Sequence, residues 1–174
     1  MQGKPDPEAL ADKMAIQEQI RSYCRAVDRL DIPLGHGVFH EDSTADYGAD
    51  YYQGPGRGVI DLIVSSHHHL ASHSHQVTNV LIEVDGDKAG SESYIFGTMR
   101  SEKDGKTTHL GVWARYLDSW EKRGGCWRII KRMVVYDHEE IREATPMGQQ
   151  IRSTRDADDP SYQFLVSRNW GDAT

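Results

Sequence analysis

Five histidines fall within nine residues, His67, His68, His69, His73 and His75, and the last opens the run His75-Gln76-Val77-Thr78-Asn79. Imidazole is the side chain whose unperturbed pKa lies near neutrality, so such a cluster can bind a metal, move protons, or simply coat a wet helix end. Each use needs different partners elsewhere in the chain. The acid that stands out is Asp28, which follows Ile20 and Cys24 by successive steps of four and so sits at the inner edge of an apolar helical stripe.

A buried carboxylate is costly unless something compensates it, and an imidazole N–H is a suitable partner. In a His75–Asp28 dyad the aspartate would fix the tautomer and favour the imidazolium, making His75 a general base. The bland alternative for Asp28 is an exposed acid in the last helical turn, and Asp31 competes for the role. Strand alternation places His75, Val77, Asn79 and Leu81 on one face and Val80, Ile82 and Val84 on the other, so His75 and Asn79 share a mixed face of the kind that walls a pocket or holds a core histidine. Further along, Arg132, Val134 and Tyr136 share a face, and an arginine among apolar residues has an anion to meet: Asp28, a developing oxyanion, or a surface acid. Tyr23 and Tyr47 could donate to an enolate or a leaving group, or serve as core bulk. His75, Asp28, Tyr23, Tyr47 and Arg132 are thus the candidate catalytic residues, with Asn79, Val112 and Tyr136 as candidate substrate contacts.

Other chemistries find less support. His69 and His73 have the i, i+4 spacing of helical zinc ligands, but no HExxH, paired cysteines or nearby carboxylate completes a site, so no metal is expected and His67, His68, His69 and His73 read as a solvated helix end. There is no Gly-x-Ser-x-Gly elbow and no phosphate-binding glycine loop. Cys24, on an apolar helical face, and Cys126, beside Trp127, read as buried thiols.

These residues must be held by a fold of helices first and strands after. Asp6 and Pro7 form a helix start, and Ile16, Ile20, Tyr23, Val27 and Leu30 carry the apolar stripe to about Arg29. A short helix or irregular turn over 32–40, a strand over 45–53 and a third helix bearing Val59, Ile60, Ile63, Val64 and Leu70 follow. Strands over 75–84, 89–100, 108–120 and 127–137, separated by Asp-Gly and Gly-Gly turns, make an antiparallel meander. The implied class is α+β, helices packed on one face of a curved antiparallel sheet. The 174 residues fit one domain over 1–140, with a tail over 141–174 whose Tyr162, Phe164, Leu165, Val166 and Trp170 are too many apolar groups for a free end; it would cover a pocket mouth or a subunit interface. A net charge of −7 without a basic stripe argues against nucleic acid as a partner. No apolar run nears the ~18 residues of a membrane span, and the polar start predicts a cytoplasmic protein.

The chain resembles the SnoaL-like branch of the NTF2-like superfamily, through Ala15-Ile16-Gln17, Ala26-Val27-Asp28, His75-Gln76-Val77-Thr78-Asn79, and Arg115-Tyr116-Leu117-Asp118 through Glu121-Lys122-Arg123 to Trp127-Arg128-Ile129. The resemblance implies a cone-shaped α+β barrel over roughly residues 8 to 140, leaving the tail unsupported. Within the branch the sequence is most similar to cofactor-independent lyases: hexachlorocyclohexane dehydrochlorinase, bile-acid 7α-dehydratase and, more distantly, scytalone dehydratase. That similarity implies a His–Asp dyad at His75 and Asp28, Arg132 as a pocket arginine, no cofactor, and a homo-oligomer, trimeric as relatives often are. Tyr23 stands where the dehydrochlorinase has a lysine, which argues against dehalogenation. The expected activity is loss of water or formaldehyde from a hydrophobic aromatic or polycyclic molecule. An isomerase or cyclase using the same base, or a non-catalytic small-molecule binder, are the alternatives.

Overall fold

In a computed structural model the described residues are 6–145, 148–150, 152–156 and 158–165. Helix α1 spans Pro7–Arg29, with the Asp6 side chain accepting from the Glu8 N–H and Pro7 in the first turn. Ile16, Ile20, Tyr23 and Val27 bury its inner face. It stops at Leu30, which turns left-handed at φ 55°, and the next residue begins a new cap: the Asp31 carboxylate accepts from the Leu34 N–H at 3.0 Å. Asp31 is therefore committed to capping helix α2, Ile32–Val38, which leaves Asp28 as the acid facing inward.

Strand β1 runs Phe39–Asp46 and β2 Gln53–Pro55, in place of one strand over 45–53. The chain turns early because the Asp46 carboxylate accepts from the Gly48 N–H at 2.9 Å and the Gln53 amide at 3.1 Å, with Gly48 at φ 89°. That turn sets Tyr47 at its base. Helix α3 covers Gly56–His67 and buries Val59, Ile60, Ile63, Val64 and also His67.

The meander is present as β3 Ser72–Asp85, β4 Lys88–Lys103, β5 Lys106–Arg123 and β6 Cys126–Glu143, each longer than its apolar pattern alone marks out. The six strands lie in the order β2-β1-β6-β5-β4-β3. All pairings are antiparallel except β1 with β6, so the α+β sheet is mixed and open, with β2 and β3 at its edges. The parallel pair arises because α2 ends directly in β1, and the chain enters the sheet beside its last strand. Among the described residues no helix is long and apolar enough to cross a membrane.

The register of β3 corrects the alternation expected for it. Val77 pairs with Ile95 and Val80 with Ser93, so two residues, Thr78 and Asn79, oppose the single Tyr94. This bulge shifts the phase of everything after it. Val77, Val80, Ile82 and Val84 all pack against the core, whereas Asn79 and Leu81 are exposed.

Beyond β6 the described part of the tail lies against α1 and the end of α3. Arg25 donates to the Ser161 hydroxyl at 3.2 Å and lies 4.9 Å over the Tyr162 ring, and Arg155 donates to the His67 carbonyl at 2.7 Å. The buried Asp159 carboxylate lies 3.5 Å from Arg29 and caps a short turn, Pro160–Gln163. Phe164 and Leu165 are exposed, and Val166 and Trp170 lie outside the described residues. Cys24 is buried as expected; Cys126, next to the Gly124-Gly125 turn, is exposed.

Candidate active site

The last turn of α1 carries Asp28 against the start of β3. Its Oδ1 accepts from His75 Nδ1 at 2.7 Å, and its Oδ2 accepts from the His75 backbone N–H at 3.0 Å. Both side chains are largely enclosed, at 10% exposure for His75 and 16% for Asp28. With Nδ1 committed as donor to a carboxylate, the proton-free nitrogen is Nε2. Nε2 lies beside Gly97, the cross-strand partner of His75, where a Cβ would sit 3.7 Å from it. The missing side chain leaves that nitrogen open to a cavity of about 560 Å³.

The cavity opens between α1, α3 and the concave face of the sheet. Its walls are mostly apolar, with Ile95, Leu110, Val112 and Val134 among them, and Tyr136 stands at its side. Tyr23 and Tyr47, whose hydroxyls are 2.6 Å apart, line the same cavity as the imidazole. Burial pushes the Tyr23 hydroxyl well above its ordinary pKa, reinforced by Tyr47; burial also raises Tyr47, with Arg132 opposing it. Both phenols are therefore neutral, and one of their two protons is spent in the bond between them while the other is free to donate.

Arg132 is not a pocket arginine facing Asp28. It is fully buried behind the tyrosines, bidentate to Asp118 at 2.7 Å through both Nε and Nη2, with its guanidinium 4.1 Å over the rings of Tyr23 and Tyr116. Burial works against its charge, but Asp118 beside it keeps the guanidinium protonated well above the usual arginine range. Arg132 meets Asp118 because the two are direct cross-strand partners in the β5–β6 register, so their side chains leave the sheet on the same face. Asn79 does not reach the cavity either, since the bulge turns it to the surface; Val112 and Tyr136 do.

The histidine cluster divides differently from a solvated helix end. His68 and His69 are exposed, but His67 is buried at the end of α3 and His73 half-buried on the inward face of β3. The ring centroids of His67 and His73 are 4.8 Å apart and those of His67 and His75 6.3 Å apart. Burial, aided by the neighbouring imidazoles His73 and His75, lowers His67 to about 4, and burial likewise lowers His73. His69 and His73, four apart in sequence, do not share a helix, since α3 ends at His67 and His73 lies on β3. His73 Nε2 is spent on the Val27 carbonyl at 2.9 Å, and among the described residues no group of three or more His, Cys, Asp or Glu could hold a metal ion.

His67, Tyr116 and Asp118 are site residues that pattern reading passed over, though the signals exist. His67 falls three and four residues after the buried Val64 and Ile63, and Asp118 alternates with Tyr116 and Trp120 on one strand face.

Over residues 8–133 the sequence matches the family described as SnoaL-like domain, a span that contains Asp28, His75 and Arg132. The chain belongs to the SnoaL-like family. Its fold is shared with other solved structures of the NTF2-like type. A hexachlorocyclohexane dehydrochlorinase, LinA-type3, from Novosphingobium barchaimii superposes with a TM-score of 0.69 at 17% identity, covering 84% of this chain and 99% of that one. A candidate scytalone dehydratase from Novosphingobium aromaticivorans gives 0.66 at 21% identity, covering 82% and 97%. A protein of unknown function from Mycobacterium tuberculosis gives 0.64 at 27% identity, covering 78% of each chain. No curated protein matches the sequence. At such identities the structural likeness speaks for the fold of this SnoaL-like chain, and its chemistry is argued from its own residues.

Proposed function

We propose that this SnoaL-like protein is a cofactor-independent lyase acting on a hydrophobic aromatic or polycyclic small molecule. The observation that carries the reading is the Asp28–His75 contact at 2.7 Å in the wall of an apolar cavity, with Nε2 beside the empty side-chain position of Gly97. Asp28 holds the imidazole in one tautomer and stabilises the imidazolium, so His75 accepts a proton from the substrate. For loss of water, the proton comes from a carbon next to the hydroxyl-bearing carbon, and the electron pair expels the hydroxyl as it is protonated. For loss of formaldehyde, it comes from a hydroxymethyl O–H, the carbon–carbon bond breaks, and the carbanion is reprotonated. In either case negative charge on a conjugated oxygen would meet the Tyr23–Tyr47 hydroxyl pair, where fixed donors in a dry site act strongly.

Arg132 has a supporting part in this scheme. Seated under Tyr23 and Tyr116 and neutralised by Asp118, it fixes the tyrosine rings and polarises Tyr47 without touching substrate. The dehydrochlorinase and dehydratase names among the structural neighbours accord with proton abstraction followed by elimination. A role for the tail in covering the site belongs to the same proposal, since Arg155 fastens it to the carbonyl of His67. The test is incubation with a panel of hydroxylated aromatic and steroid-like compounds, with mass spectrometry for loss of water or formaldehyde. Products from the wild type and none from His75→Gln are expected. Unchanged turnover in His75→Gln would remove the base, and solvent deuterium incorporation without mass loss would replace the lyase by an isomerase.

A further inference from the structure

We propose that His67 is a second ligand-contacting imidazole of the cavity, which hydrogen-bonds an oxygen substituent on an uncharged aromatic ligand bound beside His75. His67 lines the same cavity as His75, Tyr23 and Tyr47, and its ring lies nearly parallel to that of His75, inclined by 13°. The position is held at its carbonyl, which accepts from the Leu70 N–H at 3.0 Å and from the Arg155 guanidinium at 2.7 Å. Yet the ring has no hydrogen-bond partner among the described residues. Nδ1 is buried and unpaired, in a side chain only 8% exposed. Buried polar atoms in native proteins are nearly always satisfied, by protein, water or ligand, so an unpaired imidazole in a cavity wall is a group in need of a partner.

The chemistry of that partner follows from charge. Held near 4 by burial, His67 is neutral at ordinary pH and offers one N–H donor and one lone pair, which a hydroxyl can match in either direction and a carbonyl can match as acceptor. An anionic head group is disfavoured: the cavity lining contains Asp50 and Glu139 but no lysine or arginine, and the nearby Arg132 is already neutralised by Asp118 behind the tyrosines. A neutral imidazole donating to a substrate oxygen, as against an imidazolium, is also compatible with the charge that would form on His75. The inference rests on the cavity as ligand site but not on the lyase chemistry.

Binding of naphthol and of naphthalene, followed by calorimetry, tests it without turnover. The wild type is expected to prefer naphthol by about tenfold, with the His67 ring nitrogen resonances moving on naphthol addition. His67→Phe should erase the preference while keeping naphthalene affinity within about twofold, and His67→Gln should restore part of it. The proposal is overturned by equal affinity of the wild type for the two compounds, by binding of neither, by unmoved His67 resonances, or by a preference that survives in His67→Phe. Because no product is measured, failure of the lyase assay leaves this outcome intact, and a His67 result of either sign leaves the base assignment of His75 untouched.

Discussion

Asp28 holds His75 at two points, its ring Nδ1 at 2.7 Å and its own backbone N–H at 3.0 Å, so one carboxylate fixes both the strand and the side chain that the strand presents. A ring tethered only through its side chain could pivot about the Cα–Cβ bond. Here the second bond locks the strand start to the last turn of α1, and the direction of Nε2 is set before any ligand arrives.

Replacing Asp28 by Asn should therefore cost turnover through lost charge and a loosened tautomer, by about 10²- to 10⁴-fold, the range a positioned general base supplies. His75→Gln should cost as much, and the double variant little more, because the two act as a unit. Steady-state kinetics on any substrate found by the panel checks this, and additive losses would refute the dyad.

At Gly97 the space in front of Nε2 can be filled on purpose. An added Cβ would be 3.6 Å from His75 Cδ2, ordinary packing distance, so Gly97→Ala should fold normally. Gly97→Val should also fold but crowd the base, lowering turnover by roughly 10²-fold through displaced substrate. Equal turnover in the valine variant would mean that substrate approaches His75 from elsewhere.

The Arg132–Asp118 pair, fully enclosed on both sides, makes a stability prediction. Asp118→Asn leaves a buried guanidinium without its counter-charge and should destabilise by about 3–5 kcal/mol in urea unfolding, whereas a joint change of both residues to apolar ones should cost far less. A small loss in the single variant would show that water reaches the pair.

Acid should weaken the fold before its carboxylates titrate. His67, near 4, and His73 take up protons in the unfolded chain at pH values where the folded chain leaves them neutral. Stability is then full above the unfolded value of about 6.5 and falls as pH drops towards about 4. The drop in urea stability from about pH 7 to about pH 5 should be smaller in His67→Phe than in the wild type. Identical drops would place the burden on other groups.

Much of this was readable in advance because local signals and global fold agree. The α1 stripe, its Asp6 start and the glycine turns specify their elements through short-range chemistry, and the step-of-four placement of Asp28 leads directly to its contact with His75. What was not readable depends on long-range pairing. That β1 lies parallel to β6, that Arg132 meets Asp118 and not Asp28, and that Asp46 closes a turn before Gly48 are all decided by which strand becomes the neighbour. His67 was lost to a different cause. A histidine on an apolar helical spacing looks the same whether the helix end is wet or buried, and only the packing of β3 and the tail over it decides.

The extra residue at Thr78 and Asn79 makes β3 two strands in series. Before it, His75 faces the cavity while His73 reaches the Val27 carbonyl and Val77 packs on the core; after it, Val80, Ile82 and Val84 pack on the core, in a phase set independently. The joint works as a coupling between two gears: deleting either Thr78 or Asn79 would leave the histidines aimed as they are and turn the three downstream apolar residues out to water, or hold those residues and turn the histidines out. The histidine-bearing and core-packing halves of one strand can thus be altered separately, so long as the joint between them is kept.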